Sequence, residues 1–400
     1  MVVYPFCAIR KGEMFTSLSD LPKPEPMPNR DFYVSERGRR LEFSQECKEN
    51  YTKYLNSDRR SETPNYLPIK LDIENLSRCN FRCVMCQVSE WAKGQRARDL
   101  EFHEFTHIID ENTGLVEIKL QGMGEPTLAK DDLFKMIRYA RERHIWVRTV
   151  TNGSLLHLNE NSRKFLESDV NEIQISIDGA DKKTFESIRV QSKFERVVQN
   201  VTDLNNLSKL MGKEVTKMWT VVQDKNIDQL KELIDLAKQM NFSSMVFSLD
   251  ITDWGNEGWT DRNEQRSVGR TFDLGYANNL YSYGLNQGIK VAFWNISEKY
   301  DILDPNKLCE WPFERSYIAS DSRVVPCCMV ADPDTFEIKG SIKEQPEKKV
   351  ESLDKETNWS FVEIWNSKHY VNFRKSHLSG DAAKLPKICQ GCYKRGVKEN

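Results

Sequence analysis

The chain has 400 residues, and its 58 basic and 60 acidic side chains leave a formal net charge of −2 at pH 7. This balance argues against a nucleic-acid-binding surface as the main activity. The sequence contains no long apolar run of transmembrane length and no secretory signal at its start. We therefore predict a cytoplasmic protein that binds neither nucleic acid nor a membrane, and whose length fits one α/β barrel with a smaller appendage.

The sequence has ten cysteines. In a reducing compartment they favour metal or cluster ligation over disulfides. Eight of them form two sets: Cys79, Cys83 and Cys86 in the first, and Cys309, Cys327, Cys328, Cys389 and Cys392 in the second. Cys7 and Cys47 stand alone, and we interpret them as small buried or idle thiols.

The first 65 residues are polar and interrupted by prolines. Only residues 41–56 place apolar side chains at helical spacing. We predict an irregular arm with one helix and no core of its own, and we assign it residues 1–65.

From Tyr66 onward, short β-rich segments alternate with amphipathic ones. The predicted strands are 68–74, 115–122, 145–152, 170–178, 215–223 and 244–251, and the predicted helices between them include 130–143, 160–168, 194–210 and 226–240. Strict alternation implies a parallel sheet with right-handed crossovers, either an open doubly wound sheet or a partial barrel.

The alternation ends in a loop rich in tryptophan and glycine, residues 253–267, which we expect to cover an active site and which includes Asp253, Trp254 and Glu257. A helix at 268–285 and a strand at 289–294 follow. The remainder carries five cysteines with little periodicity, which is typical of a small domain stabilised by bound metal. We predict a core domain over 66–300 and a C-terminal domain over 301–400.

The first cysteine set follows the first predicted strand, at the end of the sheet where α/β folds place ligands. Its spacing lets three thiolates bind three irons of one [4Fe-4S] cube, leaving the fourth iron without a protein ligand. A zinc knuckle completed by a distant residue is the alternative. The second strand ends in GMGEP, residues 122–126, where a small molecule could lie against glycine.

Further segments follow in order: TVTNGSLL at 149–156, IQISIDGAD at 173–181 and FESIRVQSKFERVVQNV at 185–201. With the two motifs above, they make the chain resemble the radical S-adenosylmethionine (AdoMet) enzymes from about residue 67 to 250. The resemblance implies a partial (β/α)6 TIM-like barrel. It also implies that AdoMet binds the open iron of a [4Fe-4S] cluster and is cleaved reductively to a 5′-deoxyadenosyl radical.

By the same resemblance, Cys79, Cys83 and Cys86 are the cluster ligands. The implied AdoMet contacts are Met85 at the adenine, Met123, Gly124 and Glu125 at the amino group, Asn152 after the third strand, Ser176 and Asp178 near the ribose, and Arg189 at the carboxylate. Simpler interpretations stay open for several of them. Asp178 and Asn152 could each begin a plain turn, and Arg189 could form a surface ion pair.

The second set resembles the auxiliary-cluster module called SPASM, or its shortened form Twitch. Cys309, Cys327, Cys389 and Cys392 are then the four ligands of an auxiliary [4Fe-4S] cluster, which is suited to electron transfer because it has no open iron. A purely structural metal site is the alternative. Cys328 is either a spare thiol or a hydrogen-atom donor in an epimerisation.

Our first hypothesis is an oxidoreductase that dehydrogenates a small hydroxylated metabolite such as a sugar, with the auxiliary cluster as electron acceptor. The alternatives are a maturase of a ribosomally made peptide, a redox-neutral epimerase that uses Cys328, and a non-catalytic electron carrier or metal-stabilised binding module. The enzymatic hypotheses imply a small-molecule or peptide substrate and a flavodoxin- or ferredoxin-type electron donor.

Overall fold

The computed structural model describes residues 14–58, 60–251, 257–269, 271–295, 300–330, 340–341 and 360–394. Its helices are α1 Arg30–Phe43, α2 Gln45–Asn56, α3 Phe102–Glu111, α4 Asp131–Arg141, α5 Asn161–Glu167, α6 Lys182–Ile188, α7 Phe194–Leu210, α8 Leu230–Gln239, α9 Glu257–Glu264, α10 Leu274–Gln287, α11 Trp311–Glu314, α12 Phe361–Asn366, α13 Lys368–Leu378 and α14 Lys387–Lys394. Its strands are β1 Lys70–Ile73, β2 Arg82–Cys83, β3 Glu117–Leu120, β4 Trp146–Thr151, β5 Glu172–Ser176, β6 Arg189–Val190, β7 Thr216–Val221, β8 Ser244–Ser248, β9 Lys290–Trp294, β10 Arg315–Ile318, β11 Arg323–Val325 and β12 Gly340–Ser341.

The main sheet has ten strands in the order β12-β11-β10-β1-β3-β4-β5-β7-β8-β9. All neighbours from β10 to β9 are parallel, and β11 and β12 add antiparallel strands at one edge. Lys70 of β1 and Trp294 of β9 line the same cavity, although several strands separate them. The sheet therefore curves around that cavity as a partial barrel, which confirms the predicted fold class.

Each of the six predicted strands contains an observed strand, and the strand predicted at 289–294 is β9. Their alternation separates two faces. Apolar side chains such as Leu71, Ile118 and Ile173 are completely buried in the main core. Charged and polar side chains of the same strands line the inner cavity. Two-sided burial of this kind is what a parallel sheet covered by helices requires.

The arm has two helices where we predicted one. Ser44 separates them: its N–H donates to Arg40 O at the end of α1, and its side chain accepts from Cys47 N at the start of α2. Serine competes for backbone hydrogen bonds and is a strong N-cap, so one residue is enough to divide the segment. Cys47 is buried in a small cluster with Tyr54, as expected for an idle thiol.

The arm packs against the start of the barrel strands. Arg40 donates to the main-chain oxygens of Leu115 (2.8 Å) and Thr113 (3.1 Å). Before α1, the main-chain N–H of Met27 donates to a carboxylate oxygen of Glu172 at the start of β5 (3.1 Å). Pro24 and Glu25 line the inner cavity, so the arm forms the floor of the barrel.

The C-terminal region shares the sheet of the barrel. β10 pairs in parallel register with β1, with Lys70 opposite Arg315. Residues 252–256, where the expected active-site loop begins, lie outside the described residues, and so does the side chain of Glu257. Helix α9 follows. Cys7 also lies outside them. No helix in the described ranges is long and apolar enough to cross a bilayer.

Candidate active site

The first cysteine set lies in a loop directly after β1, held at both ends. Arg82 Nη1 donates to the main-chain oxygens of Cys79 and Phe81, both at 2.8 Å. Cys83 in β2 lies opposite Arg189 in β6, in a two-residue antiparallel ladder. The loop is thereby fixed to the end of α6, where the sequence predicts the AdoMet carboxylate.

The thiols of this loop are buried together. Burial raises the pKa of Cys79 well above its usual range, and the neighbouring Cys83 raises it further. Burial likewise raises the pKa of Cys86 to about 12. Buried thiols of this kind ionise only when a cation replaces the lost water, so their chemistry fits iron. No three Cys, His, Asp or Glu side chains in the described ranges form a single-ion site, so their assignment as cluster ligands rests on donor chemistry and placement.

The glycine turn after β3 lies tightly against the cysteine loop. A Cβ on Gly124 would lie 2.5 Å from Arg78 O and 2.7 Å from Leu76 O. Only glycine allows this approach. The Met123 N–H donates to Glu74 Oε1 (2.9 Å), and Met123 is buried next to Cys79 and Cys86.

Glu74 is a buried residue beside the site that the sequence analysis missed. It is completely buried at the end of β1, and it pairs with Arg96 at 2.6 Å. It also accepts hydrogen bonds from Met123 N and Ser320 N. One carboxylate thus fixes the glycine turn, the cysteine loop and the turn after β10. An acid at the end of a buried strand was the available signal.

Glu125 is buried, and its carboxylate joins the ends of β3 and β4. Its Oε1 accepts from the hydroxyls of Thr127 (2.6 Å) and Thr151 (2.7 Å), and its Oε2 accepts from Asn152 N (2.7 Å). Burial raises its pKa. Oε2 keeps one lone pair for a further donor, so the predicted contact with the AdoMet amino group stays a prediction.

Asp178 and Arg189 form a buried ion pair at 2.7 Å. Asp178 Oδ1 also accepts from Val221 N (2.8 Å), which ties the end of β5 to β7. The Arg189 guanidinium lowers the pKa of Cys83, although burial raises it more. Arg189 is therefore not a surface ion pair, and its contact with the AdoMet carboxylate stays a prediction.

The remaining predicted AdoMet contacts surround the same loop. Asn152 Nδ2 donates to Asn80 Oδ1 (3.0 Å) and lies 4.0 Å from Cys79 Sγ. Ser176 ends β5 on the face of Gln174, which lines the inner cavity. Met85 is buried within the loop. The structure thus brings all eight predicted AdoMet residues to the C-terminal end of the barrel strands, while their contacts stay predictions.

The second cysteine set lies beside a separate aromatic cluster. Cys389 is buried with Tyr300, Phe373 and Tyr393, and Cys309 and Cys392 pack on that cluster. Burial raises the pKa of Cys327 well above its usual range, and Cys328, Cys389, Cys309 and Cys392 raise it further. The thiols of this set line one cavity, and the assignment of four of them as ligands of one cluster stays a prediction.

A cavity of about 300 Å³ connects the barrel interior to the second set. Its lining combines charged strand residues and aromatic rings with all five cysteines of the set, including Cys328. An apolar cluster that includes Met123 and Tyr317 packs on Cys79 and Cys86 and also on Cys327 and Cys328. That cluster therefore lies between the two cysteine sets.

Comparison with known families gives two matches, one that includes the first cysteine set and one that includes the second. Residues 76–237 match the radical SAM superfamily, and residues 309–393 match SPASM, an iron-sulfur cluster-binding domain. The chain therefore belongs to the radical SAM enzymes that carry a C-terminal SPASM domain. Their cofactors are a [4Fe-4S] cluster, AdoMet and an auxiliary iron-sulfur cluster.

Curated relatives match about half of the chain or more. The mycofactocin maturase MftC of Mycolicibacterium smegmatis is 31% identical over 196 residues, which are 48% of each chain. This chain thus spans about half the length of that relative. A cofactor-modifying protein for the tungsten-containing aldehyde ferredoxin oxidoreductase of Pyrococcus furiosus is 27% identical over 318 residues, 76% of this chain and 82% of the relative.

Solved structures share the fold. SuiB of Streptococcus suis, bound to the precursor peptide SuiA, has a TM-score of 0.54 at 14% identity and covers 83% of this chain and 71% of its own. The protein anSMEcpe with bound AdoMet and the Cp18Cys peptide has a TM-score of 0.55 at 18% identity, covering 83% and 92%. At these identities the likeness concerns the fold alone.

Proposed function

We propose that this radical SAM enzyme is a maturase that oxidises a residue of a peptide substrate. The relative MftC is a maturase by name, and two proteins of the same fold were solved with peptides. These relatives give the sugar-dehydrogenase hypothesis no support, so the peptide alternative becomes the proposal.

One observation carries the proposal: the inner face of the barrel and the second cysteine set line a single cavity. A substrate group in that cavity would lie against the auxiliary site, under the end of the barrel that carries the first set. When bound, AdoMet and the two clusters would supply the hydrogen-abstracting radical and an electron acceptor. The proposed ligands are Cys79, Cys83 and Cys86 for the first cluster and Cys309, Cys327, Cys389 and Cys392 for the second.

Two side chains of the cavity are suited to hold the substrate. Asp72 and Lys119 lie opposite each other on β1 and β3 and line the cavity. Neither side chain makes an ion pair or hydrogen bond with a residue in the described ranges, although burial shifts the pKa of both and each charge opposes this shift in the other. The charged side chains nearer the strand starts are paired. Lys119 can donate to a carbonyl or carboxylate oxygen, and Asp72 can accept from an amide N–H or a hydroxyl.

Part of the cavity wall is apolar. Trp219, Trp294 and Trp311 supply this surface, and Pro24 and Glu25 of the arm lie at the bottom. Apolar walls beside the reacting group would protect a radical from stray hydrogen donors. A chamber of about 300 Å³ takes one side chain with its adjoining main chain, so the rest of the peptide would stay outside it.

The test uses the reconstituted enzyme under anaerobic conditions with dithionite and AdoMet. Short peptides encoded beside its gene and a panel of sugars are added separately. We expect a peptide to accelerate 5′-deoxyadenosine formation and to lose two hydrogen atoms by mass spectrometry. An unchanged peptide mass, with a sugar oxidised in its place, would refute the proposal. Peptide epimerised without mass change would favour the Cys328 alternative.

A further inference from the structure

A glutamine just beyond β7 has no hydrogen-bond partner for either end of its side-chain amide. Gln223 is completely buried. Within the described residues, neither its Nε2 nor its Oε1 meets a partner. Its main chain is engaged, since its N–H donates to Asn226 Oδ1 (2.8 Å) and its carbonyl accepts from Asn226 N (3.1 Å). Native proteins rarely leave a buried amide unpaired, because doing so is destabilising.

The position of Gln223 is fixed next to the predicted AdoMet residues. Val221, two residues earlier, donates its N–H to Asp178 Oδ1 (2.8 Å). The side chain of Asn226, three residues later, donates to the main-chain oxygen of Asp178 (2.9 Å). Gln223 therefore begins a turn that is held on both sides by Asp178, just beyond β5.

A second segment joins Gln223 to the cysteine loop. Gln223 pairs with Ser267 in an antiparallel bridge. Four residues before Ser267, Asn263 Nδ2 donates to the main-chain oxygen of Met85 (3.3 Å). Residues 263–267 thus extend from Met85, which we predict to pack on adenine, to Gln223. The unpaired amide lies on the side of the site where the nucleoside is expected.

The chemistry of the amide selects one part of AdoMet. A primary amide offers a donor and an acceptor side by side, and adenine offers its amino donor next to a ring-nitrogen acceptor. Proteins use glutamine and asparagine to bind adenine through this pair. We propose that Gln223 binds the adenine of AdoMet through two hydrogen bonds and so selects this cofactor.

The first test is the variant Gln223→Leu, measured on the cluster-loaded protein without substrate. Leucine removes an amide that has no partner, so Tm without AdoMet should stay equal or rise. AdoMet affinity, measured by equilibrium dialysis, should fall by about tenfold or more. A lower Tm with unchanged affinity would show a structural role and overturn the proposal. No change in either quantity would also overturn it.

The matched control is Asn205→Leu, which removes a buried amide that is fully paired. Asn205 Nδ2 donates to Met240 O (2.7 Å), and its Oδ1 accepts from the Thr216 hydroxyl (2.6 Å). This change should lower Tm and leave AdoMet affinity unchanged. Opposite responses of two buried amides would separate ligand binding from a general effect of substitution.

The second test compares two ligands on the wild-type protein, with Gln223→Leu as a reference. The probe is the AdoMet analogue in which hydrogen replaces the adenine amino group. We expect the wild-type protein to bind it about tenfold more weakly than AdoMet, and Gln223→Leu to bind both alike. Equal binding by the wild type would assign the contact to the ribose or to water and overturn the proposal. Because neither test contains a substrate, both are independent of the peptide hypothesis.

Discussion

Charged side chains of opposite sign alternate across the inner face of the barrel. Lys70 Nζ lies 3.9 Å from Glu117 and 3.8 Å from Glu314, and Arg148 lies 3.4 Å from Glu117 and 3.2 Å from Glu172. A buried charge without a partner is strongly destabilising. Each of these paired charges is therefore needed by its neighbours. The stability of the inner face of the barrel should for this reason be sensitive to single substitutions and to pH.

We predict that Glu117→Gln destabilises the fold at neutral pH. Burial raises the pKa of Glu117, but Arg148 and Lys70 outweigh it and lower the pKa to about 2. The folded-state pKa thus lies below the unfolded value of 4.5. The ionised carboxylate therefore stabilises the folded state fully above pH 4.5, and this contribution is lost as the pH falls toward 2. The free energy of unfolding at pH 7 should fall by on the order of 2–3 kcal/mol.

Denaturant titrations between pH 7 and pH 3 measure this effect. The acid-induced loss of stability should be shallower in Glu117→Gln than in the wild type. The control Glu160→Gln changes an exposed carboxylate 3.9 Å from Arg163, and it should alter stability by less than about 0.5 kcal/mol. Parallel curves of stability against pH for the wild type and Glu117→Gln would contradict the lowered pKa of Glu117.

Single residues of the site differed in how well the sequence could reveal them. The two cysteine sets were visible because cysteine is rare and its spacing is chemically restrictive. Glu74 and Gln223 were not, since glutamate and glutamine are ordinary surface residues in most sequences. Only the structure shows that both side chains are completely buried, that Glu74 has three partners, and that the amide of Gln223 has none among the described residues.

Among the elements, those in which a periodic pattern runs over many residues could be predicted. Those held in place by contacts with distant parts of the chain could not. α7 has the bounds 194–210 in both prediction and structure. β2 and β6 have two residues each, which is too short for any periodic pattern, and they exist because Cys83 and Arg189 meet across the site. The pairing of β10 with β1 joins segments far apart in the chain, and no local signal indicates it.

The turn after β3 should be the least tolerant of these elements. We predict that Gly124→Ala displaces the turn from the cysteine loop, because its Cβ would lie 2.5 Å from Arg78 O. Tm should fall, with a loss of stability of about 1–3 kcal/mol. AdoMet affinity should fall several-fold, as measured by equilibrium dialysis on cluster-loaded protein.

The matched control is Gly38→Ala, where nothing lies within 4 Å of the added Cβ. Gly38 lies within α1, so alanine there should stabilise by about 0.5–1 kcal/mol through helix propensity. Equal effects of the two changes would contradict the close-approach argument for Gly124.

At the scale of the whole molecule, one continuous sheet carries the first cysteine set and Cys327 and Cys328 of the second. The first set follows β1, and Cys327 and Cys328 follow β11, which joins β1 through β10. The relative placement of the two sites thus depends on backbone hydrogen bonds rather than on a flexible linker. The predicted domain boundary near residue 300 marks a change of family match but no break in the sheet.

We predict that Cys389→Ala combined with Cys392→Ala removes one cluster and keeps the other. Iron content should fall by about four atoms per chain. AdoMet affinity should persist, because its predicted contacts surround the first cysteine set, and the Met123–Tyr317 cluster packs between that set and Cys327. Iron analysis and AdoMet binding measure the two effects.

Cys47→Ala is the control, since this thiol is buried in the arm beside Leu115 O, and it should retain all iron. Loss of both clusters in the double variant would show that the two sites cannot form independently. Normal peptide oxidation by the double variant would contradict a role for the auxiliary site in the reaction.

The pairing of Lys70 with Arg315 also sets an order of events during synthesis. When β1 to β9 have left the ribosome, β1 is still an edge strand because its partner β10 has not yet been made. The loop with Cys79, Cys83 and Cys86 directly follows this strand. Such an edge is prone to pair with other chains, and contacts this distant in sequence form slowly. The interval before β10 arrives is therefore when the nascent chain is most exposed to aggregation at this edge.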